Sequence, residues 1–457
     1  MIALDLFASV AHRIGMDKAI AYSSGSRVVQ GITGVGSVFF ITTFLTGVEQ
    51  GFYYTFGSIL ALQVFFELGL TSIITQFVAH EVSHLHLDGE GFYEGEECYK
   101  SRLASLIHFC VKWYSILALI VFSFLLIAGY LFFDNYGKNY ADVDWQIPWL
   151  LICIGTSVNL FVSPFTSVFM GLGKVKEMSK VGFLQQIFLP SINWIGLALG
   201  LHLYVLGIGF IIGALFWIFY VWKTELLVIL SNLWHVKISE KVSYLKEIFP
   251  YQWRIALSWV SGYFIFQLFN PVLFATEGAV IAGQMGMTMT ALNAIQAFSM
   301  SWLNTKVPLY SQLIALRNYI KLDEIFSQTL KQMVRICLLL LSLFFLLIVI
   351  LNITQIKFGD TVIADRFLGY IPILLLMFTI YLNQYTSSWA TYLRCHKQEP
   401  FLMISICGAL ADGLSTILLG KLFGLYGMLI GYCILTTLFF PWGYNIYKIK
   451  KAEWHGK

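Results

Sequence analysis

The chain has 457 residues, 58% of them hydrophobic and 17% aromatic but only 12% charged, and its mean hydropathy is +0.74. Soluble domains carry about 25% charged residues, so a water-soluble enzyme of this length is excluded. The formal net charge is only +4, no basic stripe suits nucleic acid, and the seven cysteines lie mostly in apolar runs (Cys110, Cys153, Cys337, Cys407, Cys433), without a disulfide or metal-cluster pattern.

Residues 1–26 mix apolar residues with His12, Arg13, Asp17 and Lys18 and lack a cleavage-site pattern. This predicts an N-terminal segment lying along the membrane surface, not a secretory signal. Apolar segments follow at 27–46, 52–78, 103–133, 147–170, 181–200 and 202–222. After a polar break at 223–248 come 249–270, 278–305, 332–351, 367–393, 401–420 and 422–446. Each is long enough to cross about 30 Å of hydrocarbon as a helix. Helix is the expected form, because every backbone polar group must be satisfied within the segment. The prediction is an all-α polytopic membrane protein with 12 transmembrane helices in two pseudo-symmetric six-helix bundles. Its parts are an N-lobe over 27–222, a cytoplasmic connecting loop over 223–248, a C-lobe over 249–446 and a cytoplasmic tail over 447–457.

Orientation follows from the basic residues, which cytoplasmic loops retain. With the N-terminus inside, 24 Lys and Arg fall on the inner face and 4 (Lys138, Lys357, Arg366, Lys421) on the outer, while Lys112 lies within a span. Both termini are therefore expected in the cytoplasm. The halves also repeat: Arg27 and Gly51 precede Arg254 and Gly278 by a common offset, and Gly200 and Gly207 precede Gly420 and Gly427 by another. Four matched pairs in order point to an internally duplicated transporter with parallel repeats, in which each Gly-x6-Gly pair forms the outer turn into the sixth helix.

The stretch Gly51-Phe-Tyr-Tyr-Thr-Phe-Gly-Ser58, running into Phe66-Glu67-Leu68-Gly69-Leu70 and Gln76, is similar to the first hairpin of polysaccharide flippases. These are the O-antigen and capsule lipid-linked oligosaccharide translocases of the multidrug/oligosaccharidyl-lipid/polysaccharide (MOP) exporter superfamily. Gly278-Ala279, Ala282-Gly283-Gln284-Met285-Gly286 and Ser301-Trp302-Leu303-Asn304 before Pro308 resemble that family's eighth helix and its exit. The resemblance spans nearly the whole chain on degenerate motifs. It implies movement of an undecaprenyl-pyrophosphate-linked oligosaccharide to the outer leaflet of a bacterial cytoplasmic (inner) membrane by alternating access. No cofactor is implied beyond a coupling ion, H+ or Na+. The implied partners are the lipid-linked oligosaccharide, the bilayer, a polysaccharide polymerase and a chain-length regulator.

Such cargo needs cations for its phosphates and a polar cavity for its sugars. Arg27 and Arg254, near the cytoplasmic start of the first helix of each lobe, suit bidentate phosphate contacts, although interfacial anchoring also explains their position. Lys112 is a deeper candidate on the same terms. Asp412, mid-span in the eleventh segment, either binds the coupling ion or is a neutral structural group, and Glu67 either joins it in coupling or pins neighbouring helices. Glu49 and Glu277 sit at the outer turns. Among the amides at depth, Gln267, Asn270, Gln284, Asn293 and Asn383 are the expected cavity lining, but helix-to-helix bridging uses the same residue types, as it does for Asn159, Gln185, Asn193 and Gln384.

A competing motif is His80-Glu81-Val82-Ser83-His84, the H-E-x-x-H zinc pattern. Asp88 lies one turn on, and Leu87-Asp88-Gly89 is similar to the Asp motif of intramembrane site-2 metalloproteases. That family carries its Asp motif on a distant helix, so these residues are read first as the end of the second helix, with His80, His84 and Asp88 a lesser zinc candidate. A drug/cation antiporter of the same superfamily and a polysaccharide polymerase also compete, and the polymerase would need larger outer loops.

Overall fold

A computed structural model describes residues 18–88, 91–358, 361–396 and 398–455. Residues 1–17, most of the expected surface segment, lie outside the described residues. Every predicted apolar segment carries helix. In the first half these are α1 (Lys18–Phe44), α2 (Gly47–Leu60), α3 (Val64–Glu67), α4 (Leu70–Val82), α5 (Glu97–Tyr136), α6 (Gln146–Gly171), α7 (Val175–Ala198), α8 (Tyr204–Lys223) and the short α9 (Leu226–Trp234). The second half has α10 (Phe249–Phe266), α11 (Phe269–Thr276), α12 (Ala279–Asn304), α13 (Val307–Ala315), α14 (Tyr319–Thr354), α15 (Tyr370–Arg394) and α16 (Leu402–His455). Two antiparallel ribbons close loops, β1 (Leu85–Leu87) on β2 (Tyr93–Gly95) and β3 (Lys357–Phe358) on β4 (Thr361–Val362).

Among the described residues, α5, α6, α7, α8, α14 and α16 each qualify by length and apolarity to cross a bilayer, and counting the pair α2–α4, bent by 44°, as one span brings the number to seven. Their surfaces are those of lipid-facing rods. On α5 the buried face runs Cys110, Tyr114, Leu117, Val121, Leu125 and Phe133 at helical spacing, yet the opposite face is also apolar, with Leu119, Ile120, Ile127 and Leu131 exposed. A helix apolar all round suits hydrocarbon, whereas a soluble helix carries charge on its outer face. α12 and α15 are as long as these spans but are laced with Gln, Asn, Thr and Ser, such as Gln284, Thr288, Asn293, Asn383 and Gln384.

The chain divides into two compact units, residues 1–33 with 60–259 and residues 34–59 with 260–457. In the first, α6 is the central rod: 56% of its apolar window is buried, against 22–33% for the other five. It packs on α4, α5 and α8. In the second, α15 and α16 pack side by side, and a core of Phe326, Trp389, Tyr392 and Phe401 fills one end.

The division places residues 34–59 with the second unit, and the reason is visible in the backbone. α2 lies so close on α12 that a Cβ at Gly51 would overlap the Ala279 carbonyl, one at Gly283 would stand 2.8 Å from the Gly51 nitrogen, and one at Gly286 would overlap the Tyr54 ring. Small residues permit this approach, and close approach is what holds helices together in lipid. Thr46 and Glu49 form a reciprocal cap at the start of α2, with Thr46 N donating to Glu49 Oε2 at 2.7 Å and Glu49 N to Thr46 Oγ1 at 3.1 Å.

The two expected outer turns differ in detail. In the first half Gly200 (φ 78°) makes the turn itself. In the second the chain breaks at Gly424 (φ 58°, ψ −146°), inside the run Leu402–His455, and Gly420 and Gly427 lie within helix on either side. A side chain at Gly424 would also overlap Glu277 Oε1, which accepts from Leu425 N at 3.3 Å.

Candidate functional site

In the second unit, Asp412 lies in the first part of α16, 7% exposed, and its Oδ1 has no hydrogen-bond partner among the described residues. A carboxylate left so in a bilayer is costly, so its persistence calls for a use. Tyr432, on the second part of α16, is within electrostatic reach of Asp412. Its hydroxyl accepts from Asn383 Nδ2 at 3.1 Å, and its ring packs edge-on against Phe269, 5.2 Å between centroids. Two residues expected from sequence, Asp412 and Asn383, thus share one neighbour, a tyrosine that sequence reading passed over. Nothing in the apolar run around Tyr432 marks it; only the fold of α16 back on itself at Gly424 brings it to Asp412.

In the first unit, Glu67 ends α3 where the chain leaves the helix, with Leu68 (φ 52°) and Gly69 (φ 69°) both left-handed. Its Oε1 accepts from Thr71 Oγ1 at 2.8 Å across the break. The buried hydroxyl of Tyr114, on α5, lies within its electrostatic reach and has no hydrogen-bond partner among the described residues. A span broken beside an acid is the kind of place where transporters seat an ion or cargo.

The phosphate candidates are less fully placed. Arg27 lies in α1 and Arg254 in α10, but both side chains lie outside the described residues. Lys112 is exposed on α5. Among the expected cavity amides, Asn270 Nδ2 donates to Ser58 Oγ at 3.2 Å, joining α11 to α2, and its Oδ1 is buried without a partner among the described residues. Gln284 Nε2 donates to the Asp365 carbonyl at 2.9 Å. Asn293 is exposed on α12, and Gln267 sits half-buried at the break between α10 and α11. Other amides bridge helices: Asn159 Nδ2 reaches the Phe210 carbonyl at 2.8 Å, Gln185 Nε2 that of Gly213 at 3.1 Å, and Gln384 Nε2 that of Gln296 at 3.3 Å.

Arg366, counted from sequence only as an outer-face cation, is 4% exposed. Its Nη2 donates to the Leu45 carbonyl, while its own carbonyl accepts from Gln50 Nε2 at 3.0 Å. Gln50 Nε2 also reaches the Gly283 carbonyl at 2.8 Å. Burial lowers the Arg366 pKa, opposed by Glu49 and Asp365. This knot fastens α2 to α12 and to the loop before α15, all within the second unit.

The H-E-x-x-H residues are held in a different way. Glu81 is 2% exposed, and its Oε1 accepts from both Nε and Nη2 of Arg102 at 3.1 Å. Arg102 Nη2 also donates to Glu247 Oε2 at 2.6 Å, so the two carboxylates share one guanidinium. Burial pushes the Glu247 carboxyl up, but the Ser243 amide and Arg102 outweigh it and hold it below its ordinary value. His80 is largely exposed, His84 stacks on Tyr99 with centroids 4.0 Å apart, and Asp88 Oδ1 accepts from Phe92 N at 2.6 Å. Among the described residues no three His, Cys, Asp or Glu side chains form a metal-binding group.

No protein-family model matches the chain, and no curated protein does. Solved structures do match its fold. One titled an inward-facing multidrug resistance MATE family transporter of the MOP superfamily aligns with TM-score 0.66 at 14% identity, over 94% of this chain and 96% of that one. One titled lipid II flippase MurJ, inward closed conformation, aligns with TM-score 0.58 at 13% identity, over 94% and 87%. A MOP superfamily transporter from Pyrococcus furiosus aligns with TM-score 0.51 at 14% identity, over 96% of each chain. The chain therefore has the polytopic helical fold of MOP superfamily transporters, and these three structures are transporters or flippases by name, not enzymes.

Proposed function

We propose that the chain is a non-enzymatic transporter that moves an undecaprenyl-pyrophosphate-linked oligosaccharide across a bacterial inner membrane by alternating access. The observation that carries this reading is the seam between α2 and α12. The two stretches that resemble polysaccharide flippases, Gly51–Ser58 and Gly278–Gly286, lie in the helices that pack backbone to backbone there. The resemblance thus falls on a close helix-to-helix contact. The shared fold with a structure titled a lipid II flippase adds support.

In this reading Arg27 and Arg254, assisted by Lys112, receive the pyrophosphate, because guanidinium forks match its oxygens. Gln267, Asn270, Gln284, Asn293 and Asn383 offer neutral donors and acceptors to the sugars. Asp412, with Tyr432 in electrostatic reach, takes the coupling H+ or Na+, and Glu67 is its counterpart at the broken span. The test is reconstitution in liposomes with a fluorescent lipid-linked oligosaccharide. Arg27→Ala combined with Arg254→Ala should cut flipping at least tenfold while insertion and thermal stability stay unchanged. Full flipping by the double variant would remove the phosphate assignment.

A second reading, a drug/cation antiporter, is favoured by the buried acid Asp412 and by the TM-score of 0.66 to a MATE transporter. In the same liposomes it would appear as gradient-driven uptake of a fluorescent organic cation, lost in Asp412→Asn, with no movement of the oligosaccharide.

A further inference from the structure

Two imidazoles that none of these roles uses face each other in the second unit. His396 follows the end of α15, His455 closes α16, and their Nε2 atoms are 3.4 Å apart. The other nitrogen of each ring faces an acceptor: His396 Nδ1 lies 3.3 Å from the Tyr392 carbonyl, and His455 Nδ1 lies 3.5 Å from Asp323 Oδ2. His396 Nδ1 can donate to its carbonyl, and the Tyr392 hydroxyl also stands 3.4 Å from His455 Nε2. With the ring hydrogens on Nδ1, the two Nε2 lone pairs converge on one point, where a single cation can join them.

We propose that His396 and His455 together bind a Zn2+ ion through their Nε2 atoms. Zinc–imidazole bonds of about 2.0–2.1 Å at a tetrahedral angle set the two nitrogens about 3.3–3.4 Å apart, which is the separation found. The surroundings fit a metal-binding pair. Zinc-ligating histidines characteristically donate their second nitrogen to a carboxylate or a backbone carbonyl, and here one ring faces each kind. Asp323 is itself fixed, accepting from Tyr392 Oη at 2.5 Å and pairing with Lys451 Nζ at 3.0 Å. The ring of His455 lies flat on Tyr319, with centroids 4.2 Å apart, so its orientation is set by packing. No third His, Cys, Asp or Glu completes the set among the described residues. Water fills the remaining positions, which the half-buried His396 leaves accessible. Two imidazoles select a late first-row divalent ion over Mg2+ or Ca2+. The bound ion ties the loop after α15 to the end of α16, with Asp323 of α14 behind them.

The experiment uses the untagged full-length protein in detergent, stripped with a chelator and dialysed against Zn2+ alone. One zinc per chain is expected, absent from His396→Ala and from His455→Ala, with Asp323→Asn weakening affinity about 10–100-fold. Co2+ in place of Zn2+ should give visible absorption bands with the same dependence on both histidines. No zinc uptake by the native chain, or uptake undiminished when both histidines are replaced, would overturn the site. Should the alanine variants aggregate, protection of His396 and His455 from diethyl pyrocarbonate by Zn2+, read by mass spectrometry on the native chain, decides the matter. Protection supports the site and its absence refutes it.

Discussion

Glu81 and Asp412 are both buried acids, 2% and 7% exposed, yet they stand in opposite electrostatic situations. Glu81, at the end of α4, faces the Arg102 guanidinium, which Glu247 holds from the other side. Asp412 lies within electrostatic reach of Tyr432, and no Lys or Arg among the described residues pairs with it. The first arrangement neutralises charge with charge and fixes three segments of the first unit together. The second has no built-in counter-ion among the described residues. A buried acid with a built-in counter-ion is structural, whereas in the proposed reading one without takes its counter-ion from outside.

The largest effect should come from breaking the paired acid. Arg102→Ala strands Glu81 in a buried position, and breaking such pairs costs about 3–5 kcal/mol. Arg102 keeps 22% of its side-chain surface, which places the expected loss near the lower end, about 3 kcal/mol. It would be read as a clear fall in the detergent melting temperature. Adding Glu81→Gln should recover much of that loss; a double variant as unstable as the single would show that the pairing was not the cause.

Asp412→Asn should behave in the opposite way. With no cation partner to lose, stability should change by less than about 1 kcal/mol, while gradient-dependent transport in liposomes falls sharply. Unchanged coupling would leave Asp412 as a structural group and erase the contrast.

The smallest effect concerns acid. Because the Glu247 carboxyl is held below its ordinary pKa, its contribution is present above the usual carboxylate range, near pH 4.3, and is lost as pH falls through its lowered value. Limited proteolysis of residues 223–248 should therefore accelerate only in that acid window. Acceleration beginning near neutrality would point to a histidine instead.

Much of the architecture was legible in the residues. The apolar runs are long enough that hydrocarbon thickness alone sets where helices lie, and a helix such as α5, greasy on both faces, has one suitable solvent. The candidate sites were half legible. Asp412 was conspicuous because an acid amid apolar residues has no local reason to be there. Gln50, Arg366 and Tyr432 were not, since their partners lie 233, 316 and 49 positions away. The H-E-x-x-H spacing drew attention to Glu81, but its partner, Arg102, lies 21 residues on with an acidic loop between.

The sequence by itself determined the solvent of this protein and where its helices form, because both depend on local composition measured against the thickness of a bilayer. Only the tertiary structure decided which polar groups meet: Arg102 with Glu81, Asn383 with Tyr432, and His396 with His455. Those encounters depend on how closely glycine seams let the rods approach and where the chain turns back, at Gly424 above all, and neither is written in the periodicity of any one segment.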